Sequence, residues 1–342
     1  MRHGGRPPRG GDALAELKMY SYGEDCNGVS LNFEEATKHT SKAVWLDLYK
    51  PGKEGRNFLL GCGFHHLAVE DCFSESATRF YVYDDHKFVV LRARDKDSDL
   101  DTEYLFIFIR DGLLVTVRNS ALPCIDDFAK RFAMRRTQKR SNLGAEYLLY
   151  ELMDAIADDW YGVLVGYNDR LEELEDHVVD QNTKYPNLLP DLHDMKQELR
   201  EASKSIEPFL RIVLNLMRPD EGFVPDDCRL FYEDLSSQVA ELTDRMDNIS
   251  SGATSTRDTY LSQTSMRLAE SNQRLTEVMT TLTIIGAVMM PLTLIAGIFG
   301  MNVTEFGAGG GGPSLMIIFG IMGSFSLLMF GYFWKRGWLK KP

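Results

Sequence analysis

Residues 278–302 read VMTTLTIIGAVMMPLTLIAGIFGMN, without a single charge. Glu277 is the last charged residue before this stretch and Glu305 the next after it. A second uncharged run follows Glu305 and lasts until Lys335. Each run supplies roughly 20 helical residues, about what a hydrocarbon core of ~30 Å requires. The sequence therefore predicts a C-terminal hairpin of two transmembrane helices, at 278–301 and 314–334, joined by an external loop at 302–313.

Working outward, the tail 335–342 carries Lys335, Arg336, Lys340 and Lys341. By the positive-inside rule these four cations place the C-terminus in the cytoplasm, and two spans return the N-terminal body to the same side of the plasma (inner) membrane. That body, residues 1–277, holds 34 basic and 49 acidic side chains, a net charge of −15. Such a surface attracts cations and repels nucleic acid phosphates. Most of these acids are expected to be solvated helix faces. Five cysteines (Cys26, Cys62, Cys72, Cys124, Cys228) form no C-x-x-C pair, which fits reduced structural thiols. No phosphate loop, nucleophile elbow or H-E-x-x-H stands in the body, so the chain does not read as an enzyme and no organic cofactor is implied.

Residues 1–30 read as a disordered or variable arm; Met1–Gly11 has Arg, Gly and Pro but no apolar core, unlike a signal peptide. Residues 31–140 read as a cytoplasmic α/β domain. Strands are expected at Ala43–Leu48, Phe80–Tyr83, Lys87–Arg92, Tyr104–Ile109 and Leu113–Val117, with helices at Phe33–His39 and Ala121–Met134. Asp111-Gly112 between two β-rich runs is a strong hairpin signal. From 141 to 277 apolar residues recur at threes and fours, giving a helical funnel and stalk. One helix runs from about Ser141 until Pro186 and Pro190 end it, a second contains Pro208, and a third starts near Cys228 and continues into the first hydrophobic stretch. That third helix would be roughly 108 Å long at 1.5 Å per residue. A helix of that length needs partners.

Within the first hydrophobic stretch Thr283, Gly286, Met290, Thr293, Gly297 and Gly300 recur at spacings of three and four, and the stripe extends back through Met279 to Thr276. Bulky Ile285, Val288, Leu292, Ile295 and Phe299 lie off it. Two readings remain open. Small residues let membrane helices pack closely without any pore; alternatively the stripe lines a narrow pore, with methionine constrictions and hydroxyl oxygens. Gly300-Met301-Asn302 then leaves the helix. Glycine frees the backbone to turn, and Asn302 adds an amide oxygen. Neutral oxygens suit Mg²⁺, which sheds its waters reluctantly and is held through them.

Met290-Pro291-Leu292-Thr293, Ile295-Ala296-Gly297-Ile298-Phe299-Gly300-Met301-Asn302 and Lys335-Arg336-Gly337-Trp338-Leu339 together resemble the CorA family of divalent-cation channels and transporters. So do Trp45-Leu46-Asp47-Leu48, His66-Leu67-Ala68-Val69-Glu70-Asp71, and Tyr147-Leu148-Leu149-Tyr150 with Asp154-Ala155 in the body, so the likeness spans about residues 30–342. The resemblance implies a homopentameric channel: an α+β cytoplasmic domain, a long-helix funnel, a pore-lining first span and a second span facing lipid. It implies that Gly300, Met301 and Asn302 form the selectivity mouth, with Glu305 gathering cations outside. It further implies a regulatory Mg²⁺ between protomers, held by Asp71 in the Glu70-Asp71 pair and by Asp234, with Asp158 and Asp159 at a neighbouring site. His65-His66 read as a structural pair. Mg²⁺ would be both the transported and the regulatory ion; the alternative is a ZntB-like carrier of zinc, or of cobalt or nickel. Departures from the family pattern are Phe299 where tyrosine is usual, one acid in the loop, and Thr276 in place of an asparagine near the inner pore end.

Overall fold

The computed structural model describes residues 15–22, 28–39, 44–74, 77–96, 100–134, 143–179, 185–218, 223–300 and 315–336. The first strand is β1 (Glu16–Tyr20), which pairs with β2 (Val29–Leu31). These strands correct the expectation of a variable arm through residue 30. The sequence signal was weak because β1 is five residues long and begins with a charge. Its place is fixed by distant partners: Leu17 is buried, and Tyr20 stacks on Trp45 with ring centroids 3.9 Å apart.

After α1 (Phe33–His39) come β3 (Trp45–Tyr49), α2 (Gly52–Gly61), α3 (His66–Asp71), β4 (Arg79–Val82), β5 (Lys87–Arg94), β6 (Thr102–Arg110) and β7 (Leu113–Arg118). The strands form one sheet in the order β2-β1-β3-β7-β6-β5-β4. All neighbours are antiparallel except β3 and β7. The β6–β7 hairpin turns on Asp111 and Gly112 at φ 44° and 81°. Positive φ at both turn residues matches the twist of the flanking strands, and Asp-Gly tolerates it.

Side chains alternate between the two sheet faces. Leu46, Leu48, Phe88, Val90, Phe106, Phe108, Val115 and Val117 form a core with Phe58, Leu59, Ala68 and Val69 of α2 and α3. The opposite face takes Trp45, which meets Phe128 of α4 (Pro123–Ala133) edge-on at 4.5 Å. Two longer helices pack on this face, α5 (Gly144–Val179) and α6 (Leu188–Leu216). Pro190 falls inside the first turn of α6 instead of ending the preceding helix. The first turn lacks the intrahelical acceptor that proline's missing N–H would have used.

A buried polar network ties the parallel strands together. Asp47 Oδ1 accepts from Thr116 Oγ1 at 2.8 Å, and Asp47 Oδ2 from Arg118 Nη2 at 2.9 Å. The Trp45 indole donates to Thr116 Oγ1 at 3.0 Å. Removing one member of a buried, hydrogen-bonded ion pair strands its partner and costs about 3–5 kcal/mol. Asp47→Ala is therefore expected to lower the thermal midpoint of the purified protein by about 10 °C. A change under 2 °C in differential scanning fluorimetry counts against the network's role.

The longest element is α7 (Asp226–Gly300), 75 residues and about 110 Å. It is followed by α8 (Leu315–Lys335). The chain divides into two compact units, Met1–Asp258 and Thr259–Pro342, and α7 runs through both. In the first unit α7 buries Tyr232, Leu235, Val239, Leu242, Met246, Ile249 and Ala253 at helical spacing. In the second many of its apolar side chains are exposed, among them Leu268 by 63%, Met279 by 68% and Met290 by 76%.

Candidate ion pathway and acidic sites

Three and four residues per step keep Thr276, Met279, Thr283, Gly286, Met290, Thr293 and Gly297 on one side of α7. All seven are exposed. The half-covered residues Thr280, Ile284, Ala287, Val288, Pro291, Leu292 and Ile295 recur on another side. On α8 the covered residues are Met322, Phe325, Ser326, Met329 and Phe333, again one stripe. The stripe picked out in the sequence lies within a broader side of α7 that its own unit leaves uncovered, which also carries Leu282, Ile285 and Met289. A Cβ added at Gly286 or Gly297 meets nothing within 4 Å. Among the described residues, their small size serves no packing inside the chain.

The stripe threonines donate back along the helix: Thr276 Oγ1 to the Asn272 carbonyl at 2.8 Å, Thr283 to Met279 at 2.7 Å and Thr293 to Met289 at 2.8 Å. A hydroxyl that spends its proton this way keeps acceptor lone pairs for outside donors, such as the waters around a cation. Pro291 has no N–H to give the Ala287 carbonyl, which adds another acceptor to the helix. One helix among the described residues, Asp226–Ile298, contains a window long and apolar enough to cross a membrane, with a mean hydropathy of 2.0. Gly300 closes α7. Met301, Asn302 and Glu305 lie outside the described residues, as do 337–342.

The acidic candidates occupy separate places. Asp71 ends α3 and pairs with Arg79 of β4 at 2.6 Å; Glu70 beside it is exposed. Asp234 is exposed on α7 and accepts from Gln238 Nε2 at 3.1 Å. Asp159 is engaged at both oxygens by Arg94, at 3.0 and 2.7 Å. A metal at Asp159 would have to displace that guanidinium. Asp158 shares Arg131 with Asp127 and Asp154. Burial holds the Asp154 carboxyl above its usual range, with Asp158 adding to the effect and Arg131 opposing it. Among the described residues no three His, Cys, Asp or Glu side chains gather closely enough to hold a metal.

Sequence reasoning missed the arginines, because Arg94 lies 65 residues from Asp159 and Arg131 lies 27 from Asp158. His65 caps α3 by accepting from Leu67 N at 3.3 Å, and its own N–H donates to buried His86. That is a structural use of the His65-His66 pair. Among the described residues Cys62, Cys72, Cys124 and Cys228 are free thiols. Burial raises the pKa of each, that of Cys228 to about 11, which keeps them unreactive.

Comparison with known proteins adds four findings. The family described as CorA-like Mg²⁺ transporter protein matches residues 40–336. The cobalt/magnesium transport protein CorA of Thermotoga maritima is 27% identical over 284 residues, covering 81% of this chain and 77% of that one. Among solved structures, the CorA magnesium transporter from Methanocaldococcus jannaschii superposes with a TM-score of 0.63 at 21% identity, over 95% of this chain and 99% of that one. The ZntB cytoplasmic domain from Vibrio parahaemolyticus shares the fold more distantly, with a TM-score of 0.53 at 14% identity, over 73% of this chain and 98% of that domain.

Proposed function

The chain belongs to the CorA-like Mg²⁺ transporter family, and we propose that five copies surround a membrane pore that admits Mg²⁺ under control of the same ion inside the cell. The observation that carries this reading is the uncovered face of α7, which includes the stripe. A helix of about 110 Å with exposed methionines and leucines is not stable alone. Copies of itself would cover it. Around a common axis, threonine hydroxyls and backbone carbonyls would face a hydrated cation, while Met279 and Met290 narrow the path. The second span, α8, would face lipid, and the mouth would be formed by Gly300, Met301 and Asn302.

Two charges moving through about 100 mV release about 4.6 kcal/mol, so influx needs no nucleotide hydrolysis. In the proposed gate, Mg²⁺ bridges Asp71 of one protomer and Asp234 of the next and cancels their repulsion. The donors suit the ion, since carboxylate oxygens are what Mg²⁺ accepts. Arg79 holds Asp71 at 2.6 Å, so a bridging Mg²⁺ competes with that guanidinium, which favours a low-affinity sensor. When the ion leaves, the acids repel and the stalk moves. The closing ligand acts by binding the closed state more tightly.

Uptake by reconstituted vesicles tests the ion. Saturable Mg²⁺ uptake driven by an inside-negative potential, and unaffected by a proton gradient, is expected. Saturable Zn²⁺ uptake indifferent to millimolar Mg²⁺ would defeat the assignment.

A further inference from the structure

A cavity of about 590 Å³ in the first unit is lined by β4, β5, β6 and α6. Four of its lining residues are cations, Arg79, Arg92, Lys204 and Arg211, and none is Asp or Glu. That lining runs against the composition of a chain with net charge −12. Arg92 contributes the sharpest observation. Its Nε is buried with no hydrogen-bond partner, while its guanidinium lies 4.9 Å from the Tyr104 ring centroid. On its other side Arg92 borders a cleft that includes Asp101, Asp194, Glu198 and Glu201, yet it forms no ion pair with any of them. A buried donor without an acceptor is costly, so such groups usually mark a missing partner.

The other cations fit the same partner. Arg211 is exposed and has no ion pair among the described residues. Lys204 is exposed and holds Glu201 at 2.7 Å, a pair separated by three residues on α6 and weakened by solvent. Arg79 pairs with Asp71 at 2.6 Å and lies over the Tyr81 ring at 5.5 Å. Stacking on tyrosine fixes the planes of two guanidinium forks in advance, and such forks match phosphoryl oxygens bidentately. The volume falls in the range of small-molecule sites, roughly 300–1,000 Å³.

We propose that this cavity binds a soluble chain of phosphoryl groups, whether inorganic tripolyphosphate or the triphosphate of a nucleotide. The site shares Arg79 with the proposed Asp71 gate, but its test measures binding, not flux, and leaves Arg79 unchanged. Full-length protein in detergent and Mg²⁺-free buffer is titrated calorimetrically with ATP, tripolyphosphate and adenosine. ATP and tripolyphosphate are expected to bind with similar affinity, and adenosine not at all. Arg92→Gln, and separately the exposed pair Lys204→Gln with Arg211→Gln, should each weaken both ligands by at least about tenfold. The exposed pair should leave the ligand-free thermal midpoint unchanged, so loss of binding there is not loss of fold. Absence of binding to both phosphate compounds at millimolar concentration overturns the proposal. So does binding of ATP without tripolyphosphate, or an affinity unchanged by the exposed double substitution.

Discussion

Asn302→Ala is expected to reduce Mg²⁺ flux through reconstituted protein by at least about a hundredfold, with assembly and membrane insertion unchanged. Each amide oxygen at the proposed mouth accepts from water in the ion's hydration shell, and one such hydrogen bond is worth about 1 kcal/mol. Five copies act on the same ion, so about 5 kcal/mol of coordination disappears at once, before any compensation by water. In the proposed assembly the substitution deletes only an amide facing the pore, which is why expression should not suffer. Size-exclusion chromatography of the same preparation separates lost conduction from lost assembly. Flux equal to that of the parent would favour a hairpin that oligomerises without conducting.

The second large effect concerns gating. At internal Mg²⁺ levels that suppress the parent, Asp234→Lys should conduct at least about tenfold more, because a fixed cation excludes Mg²⁺ from the site and the closed state loses its ligand. Asp234→Asn removes the charge without adding a cation and should lose Mg²⁺ suppression as well. Asp234 is exposed in the chain and accepts a single hydrogen bond, from Gln238, so neither change disturbs the core. Mg²⁺-dependent protection from protease gives a parallel readout. If both variants close and resist protease as the parent does, the inter-protomer site is misassigned. Asp159 carries no comparable expectation, since Arg94 occupies both of its oxygens.

Local signals account for what the sequence revealed. The Asp111-Gly112 hairpin was legible because positive φ at two successive residues restricts the choice of residue types. The run of α7 through its uncharged stretch was legible from period and hydropathy. Strands β1 and β2 were not, because a strand of five residues and one of three owe their existence to pairing with β3 and with each other. Pro190 misled for a different reason. Proline punctuates a helix differently in its first turn than in its interior, and Pro190 lies in the first turn of α6. The acidic sites were the hardest. A carboxylate's spacing shows which face it occupies, but whether an arginine from another element has already claimed it depends on tertiary structure, as Arg79 does for Asp71 and Arg94 for Asp159.

The most direct measurement is a cryo-electron microscopy reconstruction of the full-length protein in lipid nanodiscs, at high Mg²⁺ and after its removal. The account predicts fivefold symmetry, with Thr283, Met290 and Asn302 turned toward a water-filled axis and with that axis wider at Met279 or Met290 once Mg²⁺ is gone. A centre filled by lipid or side chains in both conditions, with Asn302 directed away from the axis, would contradict it.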